Sequence, residues 1–246
     1  MVFHLAAEVR RERFDEQPHE AYNVNTAGTL AVLNYCYRTG ARCVFMSTSG
    51  VYEGSAADEK FTEESPIGPA SDYAMSKWLA EGLCRRQAID LGVESVVLRL
   101  FNAYGPGQRS SYIVPHVIKS ILQQKPLALR MSEARRDFIH VDDVVEALLK
   151  AAITKVDSTV FNIGRGCGTR IIDLVRLCED LLGETAEIVE AEAHSGETMS
   201  AVADIERAER ELGWTPTRGL RSGLIDLGSS MAKLARPSDA QSRLAG

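Results

Sequence analysis

Short apolar runs alternate with longer amphipathic stretches along the first two thirds of the chain. Val2, Phe3, Leu5, Ala6 and Ala7 crowd the start and read as a buried strand with no lead-in. The stretch 8–20 is polar and reads as a loop or a frayed helix start. Apolar residues then recur at helical spacing (Val24, Leu30, Leu33, Tyr37) and stop at Gly40, so 21–38 is predicted as a helix closed by a glycine. Cys43-Val44-Phe45-Met46 reads as a strand running into Ser47-Thr48-Ser49. A helix over 72–91, ended by Gly92, and a strand over 95–101 follow. Strands that alternate with helices predict right-handed crossovers and a parallel sheet, the doubly wound α/β class.

Beyond Asn102 the pattern loosens. Residues 103–107 are turn-rich, and Pro126 closes a helix predicted over 113–124. Further helices are predicted over 141–152, 171–182 (capped by Thr169 and ended by Gly183), 204–212 and 220–234. Strands are predicted at Phe138-Ile139, at Val160-Phe161-Asn162-Ile163 and over 187–189, and the polar tail 235–246 as disordered.

With 246 residues the chain can bury one large core, or one core and a small lobe. A net charge of −6 argues against a nucleic-acid surface. The five cysteines are odd in number and form no C-x-x-C, which argues against a disulfide framework or a zinc site and suits a reducing cytoplasm. No apolar run approaches the roughly 18 residues of a membrane span, and no basic segment followed by an apolar one opens the chain. The expected setting is therefore cytoplasmic, with no membrane and no nucleic acid.

The stretch Ser71-Asp72-Tyr73-Ala74-Met75-Ser76-Lys77 carries the chemistry. On a helix, positions four apart share a face, so Tyr73 and Lys77 stand side by side. An ammonium beside a phenol favours the phenolate and pulls the phenol down from about 10 toward neutrality. That converts a tyrosine into a proton shuttle for an alcohol–ketone couple. An ordinary surface helix carries the same spacing, so the pair gains weight only from its context.

That context resembles the extended short-chain dehydrogenase/reductase family, the NAD-dependent nucleotide-sugar epimerases and dehydratases. The resemblance runs nearly the whole length. It rests on His4-Leu5-Ala6-Ala7, Asn25 with Gly28-Thr29-Leu30, Ser47-Thr48-Ser49-Gly50-Val51-Tyr52, and Pro69 with Tyr73 and Lys77. It continues through Arg99-Leu100-Phe101-Asn102-Ala103-Tyr104-Gly105-Pro106-Gly107, Arg136-Asp137-Phe138-Ile139-His140-Val141-Asp142-Asp143, Phe161-Asn162-Ile163-Gly164 and Leu212-Gly213-Trp214-Thr215-Pro216.

The resemblance implies an NAD-dependent epimerase of a nucleotide sugar, most like the UDP-glucose 4-epimerases, that oxidises a ring hydroxyl transiently to a ketone. In it Tyr73 is the general base, Lys77 holds the nicotinamide ribose and lowers the phenol's pKa, and Thr48 meets the same substrate oxygen. Ala6, Ala7, Asn25 and Ser47 lie by the cofactor together with Tyr73 and Lys77. Ser49, Asn102, Arg136 and His194 meet the substrate, Arg136 gripping the diphosphate. Each keeps a plainer alternative: packing for the alanines, a turn former for Asn102, a solvated arginine for Arg136. A Rossmann-like remainder is expected over 1–106 with 138–166 returning to it, a substrate lobe over 107–137 and 167–234, and a homodimer through helices 21–38 and 72–91.

Three departures narrow this reading. Ser49 and Gly50 stand where the family's dehydratases carry an acid pair, which disfavours water elimination. His194 stands where an arginine often serves the diphosphate. No G-x-x-G-x-x-G occurs, the nearest cluster being Gly164-Arg165-Gly166-Cys167-Gly168. The strand at the start resembles the family's fourth, so roughly 60 residues of the pattern, about 30 per βαβ unit, have no counterpart. A shortened copy of a complete enzyme is expected, with its first strand an exposed apolar edge. Two rival readings remain: a sugar ketoreductase or dehydrogenase of the same fold, and a non-catalytic remnant.

Overall fold

The apolar runs of the first half form a parallel sheet buried on both faces. A computed structural model describes residues 1–54, 59–157, 159–191 and 199–235. In chain order it contains β1 (Val2–His4), α1 (Arg11–Glu16), α2 (Pro18–Tyr22), a π-helical turn (Asn23–Ala27), α3 (Gly28–Thr39), β2 (Cys43–Thr48), a 3-10 turn (Ser49–Val51), α4 (Asp72–Leu91), β3 (Ser95–Leu100) and β4 (Asn102–Tyr104). There follow α5 (Ile113–Leu122), β5 (Leu127–Leu129), β6 (Arg135–His140), α6 (Val141–Ile153), β7 (Val160–Ile163), β8 (Gly168–Arg170) and α7 (Ile171–Leu182). The last elements are β9 (Ile188–Glu190), β10 (Ser200–Ala201), a π-helical turn (Ala208–Leu212) and α8 (Leu220–Ala235).

The main sheet has the order β1-β2-β3-β7, with every pair parallel. Side chains alternate across it, as the strand period of two requires. Cys43, Phe45 and Val97 pack with Leu33, Ala80 and Cys84 of α3 and α4. Val44, Val96, Leu98 and Phe161 pack on the other face with Val144, Ala147 and Ala151 of α6. By the same parity Ser47 and Arg99 face α4. β1 closes one edge, where Phe3 is 39% and Leu5 53% exposed.

A second sheet runs β10-β6-β4 with β8 antiparallel to β6, and β5 pairs with β9. Its core is formed by the apolar faces of α5, α7 and α8 around Leu127, Leu129 and Phe138. Among the described residues no helix is long and apolar enough to cross a membrane.

Local signals set the bounds of α4. Ser71 accepts from Ala74 N at 3.2 Å to cap α4, and Gly92 ends it at φ 66°. The polar stretch 8–20 is not a loop but α1 and α2, because Phe14 turns inward and packs edge-on against Tyr22 and Tyr73. The helix predicted over 21–38 opens with the π-helical turn. Thr169 does not cap α7: it lies in β8 opposite Arg136, and Arg170 takes the cap position with its guanidinium on Asp173.

The glycine cluster that came nearest to a phosphate loop is already occupied by the protein's own carboxylate. Fully buried Asp137 accepts from Arg165 N at 2.6 Å, Gly166 N at 2.9 Å and Ala203 N at 3.1 Å. Burial pushes its pKa up to about 6, against the pull of those three N–H groups. A Cβ at Gly164 would lie 2.6 Å from both the Ala203 Cβ and Asp137 Oδ2. Gly164→Ala is therefore expected to cost about 1–3 kcal/mol through overpacking, seen as a lower urea midpoint at unchanged m-value.

Candidate active site

Tyr73 stands in the first turn of α4, and Thr48 ends β2, where open α/β sheets bind ligands. The Thr48 hydroxyl, and Tyr112 from the loop before α5, both lie near enough to the phenol to act on it. Thr48 Oγ1 also accepts from Gly50 N at 3.1 Å, which fixes its rotamer. A cavity of about 560 Å³ opens beside Tyr73, lined by Val9, Arg11, Phe14, Pro69, Ser71 and Asp72 among others.

The expected depressed phenol is not what the chain provides. Burial pushes Tyr73 up to about 12, Tyr112 adds to this, and the Thr48 hydroxyl works the other way. Lys77 is not among the groups acting on it, because its ammonium lies 4.2 Å from the centre of the Phe45 ring. Only 2% of Lys77 is exposed, and burial pulls its pKa down to about 8, against the raising effects of Cys84 and Glu81. Among the described residues no hydrogen-bond acceptor meets that ammonium. A buried cation without an acceptor is costly unless a bound group supplies one.

Asn25 does not offer its amide to a ligand. Its Oδ1 accepts from Glu8 N at 2.7 Å, and its Nδ2 donates to Glu8 O and Ser76 Oγ, both at 2.9 Å. Ser76 Oγ in turn donates to Tyr73 O at 2.7 Å. Asn25 therefore ties the segment after β1 to the catalytic helix. Ser47 is likewise committed, donating to Glu81 Oε1 at 2.5 Å. Both side chains, expected by the cofactor, have their polar atoms engaged within the protein, as buried polar groups require.

Ala6 is exposed and Ala7 half-buried in the segment just past β1. Ser49 is half-buried and starts the 3-10 turn, its carbonyl accepting from Tyr52 N. Asn102 and Arg136 share a cleft of about 440 Å³ with Ser111, His116 and Arg130. Arg136 Nη1 donates to Arg135 O at 2.9 Å. His194 lies outside the described residues. Tyr104 is a core residue, 1% exposed and packed on the His140 ring.

Sequence reasoning missed the buried network behind Thr48. Glu81 takes a two-point contact from Arg99, whose Nη1 donates to Tyr52 Oη at 3.0 Å, and Tyr52 Oη donates to Asn162 Oδ1 at 2.6 Å. Two signals could have found it: Glu81 follows Lys77 by four on the helix, and the strand parity turns Ser47 and Arg99 toward α4.

The sequence pattern of the NAD dependent epimerase/dehydratase family matches residues 1–164. The chain is 30% identical over 245 residues to the UDP-glucose 4-epimerase of Azospirillum brasilense, covering 91% of this chain and 70% of that protein. It is 32% identical over 230 residues to UDP-glucuronic acid decarboxylase 1 of Xenopus tropicalis, covering 91% of this chain and 54% of the relative, so it spans about half that protein's length. Among solved structures, UDP-glucose 4-epimerase from Thermotoga maritima with UDP-glucose aligns with a TM-score of 0.89 at 29% identity, covering 96% of this chain and 78% of the other.

Proposed function

The chain belongs to the NAD-dependent epimerase/dehydratase family, and from this premise we propose that it is an NAD-dependent nucleotide-sugar epimerase of the UDP-glucose 4-epimerase kind. The observation that carries the reading is the Tyr73–Thr48 pair at the end of β2, one helical turn from the buried, acceptor-less ammonium of Lys77. NAD, when bound, supplies a hydride acceptor that returns what it takes, so no net redox change is expected. Lys77 fits the ribose hydroxyls of that cofactor, and the small side chains of Ala6 and Ala7 leave room for its close approach. The 164–168 loop does not fit the pyrophosphate, because Asp137 takes its N–H groups.

On the substrate side Tyr73 removes the proton from the reacting sugar hydroxyl and gives it back. Thr48 holds the same oxygen. Arg136, with Arg130 and Asn102 along one cleft, suits a diphosphate, since guanidinium groups pair with phosphate through two parallel N–H bonds. The substrate lobe in this reading is built from 107–137 and 167–234. We place the protein in the cytoplasm as a homodimer through the helices over 21–38 and 72–91, where Tyr35, Leu79, Ile89 and Leu91 are exposed.

Supplied with NAD and UDP-glucose, the protein is expected to form UDP-galactose, read by proton NMR of the anomeric signals, with no accumulation of NADH. NADH formed in step with sugar consumed would mark a dehydrogenase instead. Absence of both product and NADH across a panel of nucleotide sugars would sink the enzymatic reading.

A further inference from the structure

Glu81 lies one turn beyond Lys77 on α4 and is 4% exposed. Its carboxylate accepts from two adjacent strands at once. Ser47 Oγ of β2 donates at 2.5 Å, and Arg99 of β3 donates through Nε at 3.1 and 3.2 Å and through Nη2 at 2.8 Å. Ser47 and Arg99 are register partners, so the carboxylate straddles the β2–β3 junction. The guanidinium is held from its other side by Tyr52 Oη at 3.0 Å and the Glu63 carbonyl at 3.1 Å. Tyr52 is anchored in turn to Asn162 of β7. Two strands and the helix thus meet at one carboxylate, with β7 tied in through Tyr52 and Arg99.

Stability alone does not account for such a pair, because desolvation offsets much of its Coulomb attraction. Its geometry does something specific. The residue after Ser47 is Thr48, and Tyr73 lies two turns back from Glu81 on the same helix. Whatever ties Glu81 to Ser47 therefore sets the distance between the phenol and the threonine hydroxyl. Four residues on from Lys77 along one face of α4, the same carboxylate also acts on that ammonium electrostatically, without a direct ion pair. The other titratable groups that act together with that ammonium are His4 from β1 and Cys84 from α4, with Cys43 of β2 and Cys36 of α3 coupled to Cys84 behind it. Burial lowers the histidine and raises the three thiols.

Resting on the reading above, we propose that Glu81 is a positioning residue of the reaction: bound by Ser47 and Arg99, it holds the helix of Tyr73 against the strand of Thr48 and serves as the counter-ion of Lys77. The two roles separate experimentally. In the intact chain labelled with 13C at lysine Cε, Glu81→Gln is expected to lower the NMR titration midpoint of Lys77 by about one pH unit, and Glu81→Asp to restore most of it. Should Gln leave Arg99 uncompensated and the protein unfolded, Glu81→Gln with Arg99→Met repeats the titration without the orphaned cation. Ser47→Ala keeps the ion pair and removes the staple; it is expected to lower kcat about tenfold at unchanged KM while leaving the Lys77 midpoint where it was, a loss of one hydrogen bond felt in the transition state. An unmoved midpoint in the Gln variants, or wild-type kcat in Ser47→Ala, overturns the proposal. The titration needs no turnover, so a wild-type chain without epimerase activity would sink the functional reading while the link between Glu81 and Lys77 is still decided.

Discussion

Tyr73→Phe is expected to lower sugar turnover by about 10³-fold, the scale of a lost general base, while the fold and the affinity for NAD stay as they were. The substitution removes one oxygen. The ring keeps its edge-on contact with Phe14, 6.3 Å between centres, and Thr48 Oγ1 keeps the Gly50 N–H it already accepts. No buried donor or acceptor loses its last partner, so the melting temperature should hardly move. The size of the kinetic effect follows from the electrostatics. Burial holds the phenol at about 12, and ionising it at neutral pH costs about 7 kcal/mol. The lowering effect of Thr48 is already contained in that value, so it covers none of this cost. A cation must offset it; Lys77 sits over the Phe45 ring and does not act on the phenol in the structure, so the positive charge of oxidised nicotinamide, when bound, is the source the reaction needs. Turnover assays and thermal melts on matched samples check the prediction; a Phe variant with more than a tenth of wild-type activity removes Tyr73 from the base role.

What the sequence revealed was what local chemistry fixes. The helix over 72–91 was legible to the residue because Ser71 caps it and Gly92 ends it, and both signals lie within a few positions of the boundary. Parallel strands were legible because β2 and β3, covered on both faces, read as unbroken apolar runs. Tyr73, Thr48 and Lys77 follow from those elements. The fates of Asn25 and Ser47 did not, since each depends on a partner far along the chain: Glu8 and Ser76 for one, Glu81 for the other. A motif marks that a polar residue matters; it does not say whether the residue serves a ligand or holds the frame that serves it. The strands β4, β8 and β10 were illegible for a simpler reason. At two or three residues each they carry no periodicity, and only pairing with β6 makes them strands. Phe14 shows the opposite error. Val9 and Phe14 are too few apolar side chains in a polar stretch to predict a helix, yet the burial of Phe14 against Tyr22 and Tyr73 is enough to order two short ones.

Lys77→Met is expected to abolish turnover and yet raise stability, by about 1–2.5 kcal/mol at neutral pH. Lys77 is 2% exposed, its ammonium meets an aromatic ring and no acceptor among the described residues, and burial pulls its pKa from 10.5 to about 8. A shift of that size corresponds to about 3 kcal/mol of penalty for folding with the charge in place. Methionine fills a similar volume without the charge, and what it forfeits is the cation–π contact, about 0.5–2 kcal/mol. The sign with pH follows from the lowered value. Below about pH 8 the lysine is protonated in both folded and unfolded chains, and the full penalty stands. Between about 8 and 10.5 the unfolded chain binds the extra proton, so wild-type stability gains with rising pH and the advantage of the Met variant shrinks. The difference between the two proteins is the quantity to measure, by urea denaturation at several pH values. Each alone also carries the buried thiols of Cys43 and Cys84, whose raised values act in the opposite sense above pH 9. A Met variant less stable than wild type would mean that Lys77 is held by interactions the fold itself supplies. A more stable but inactive one means that the protein keeps a destabilising charge for what it binds, the mark of a residue retained for function.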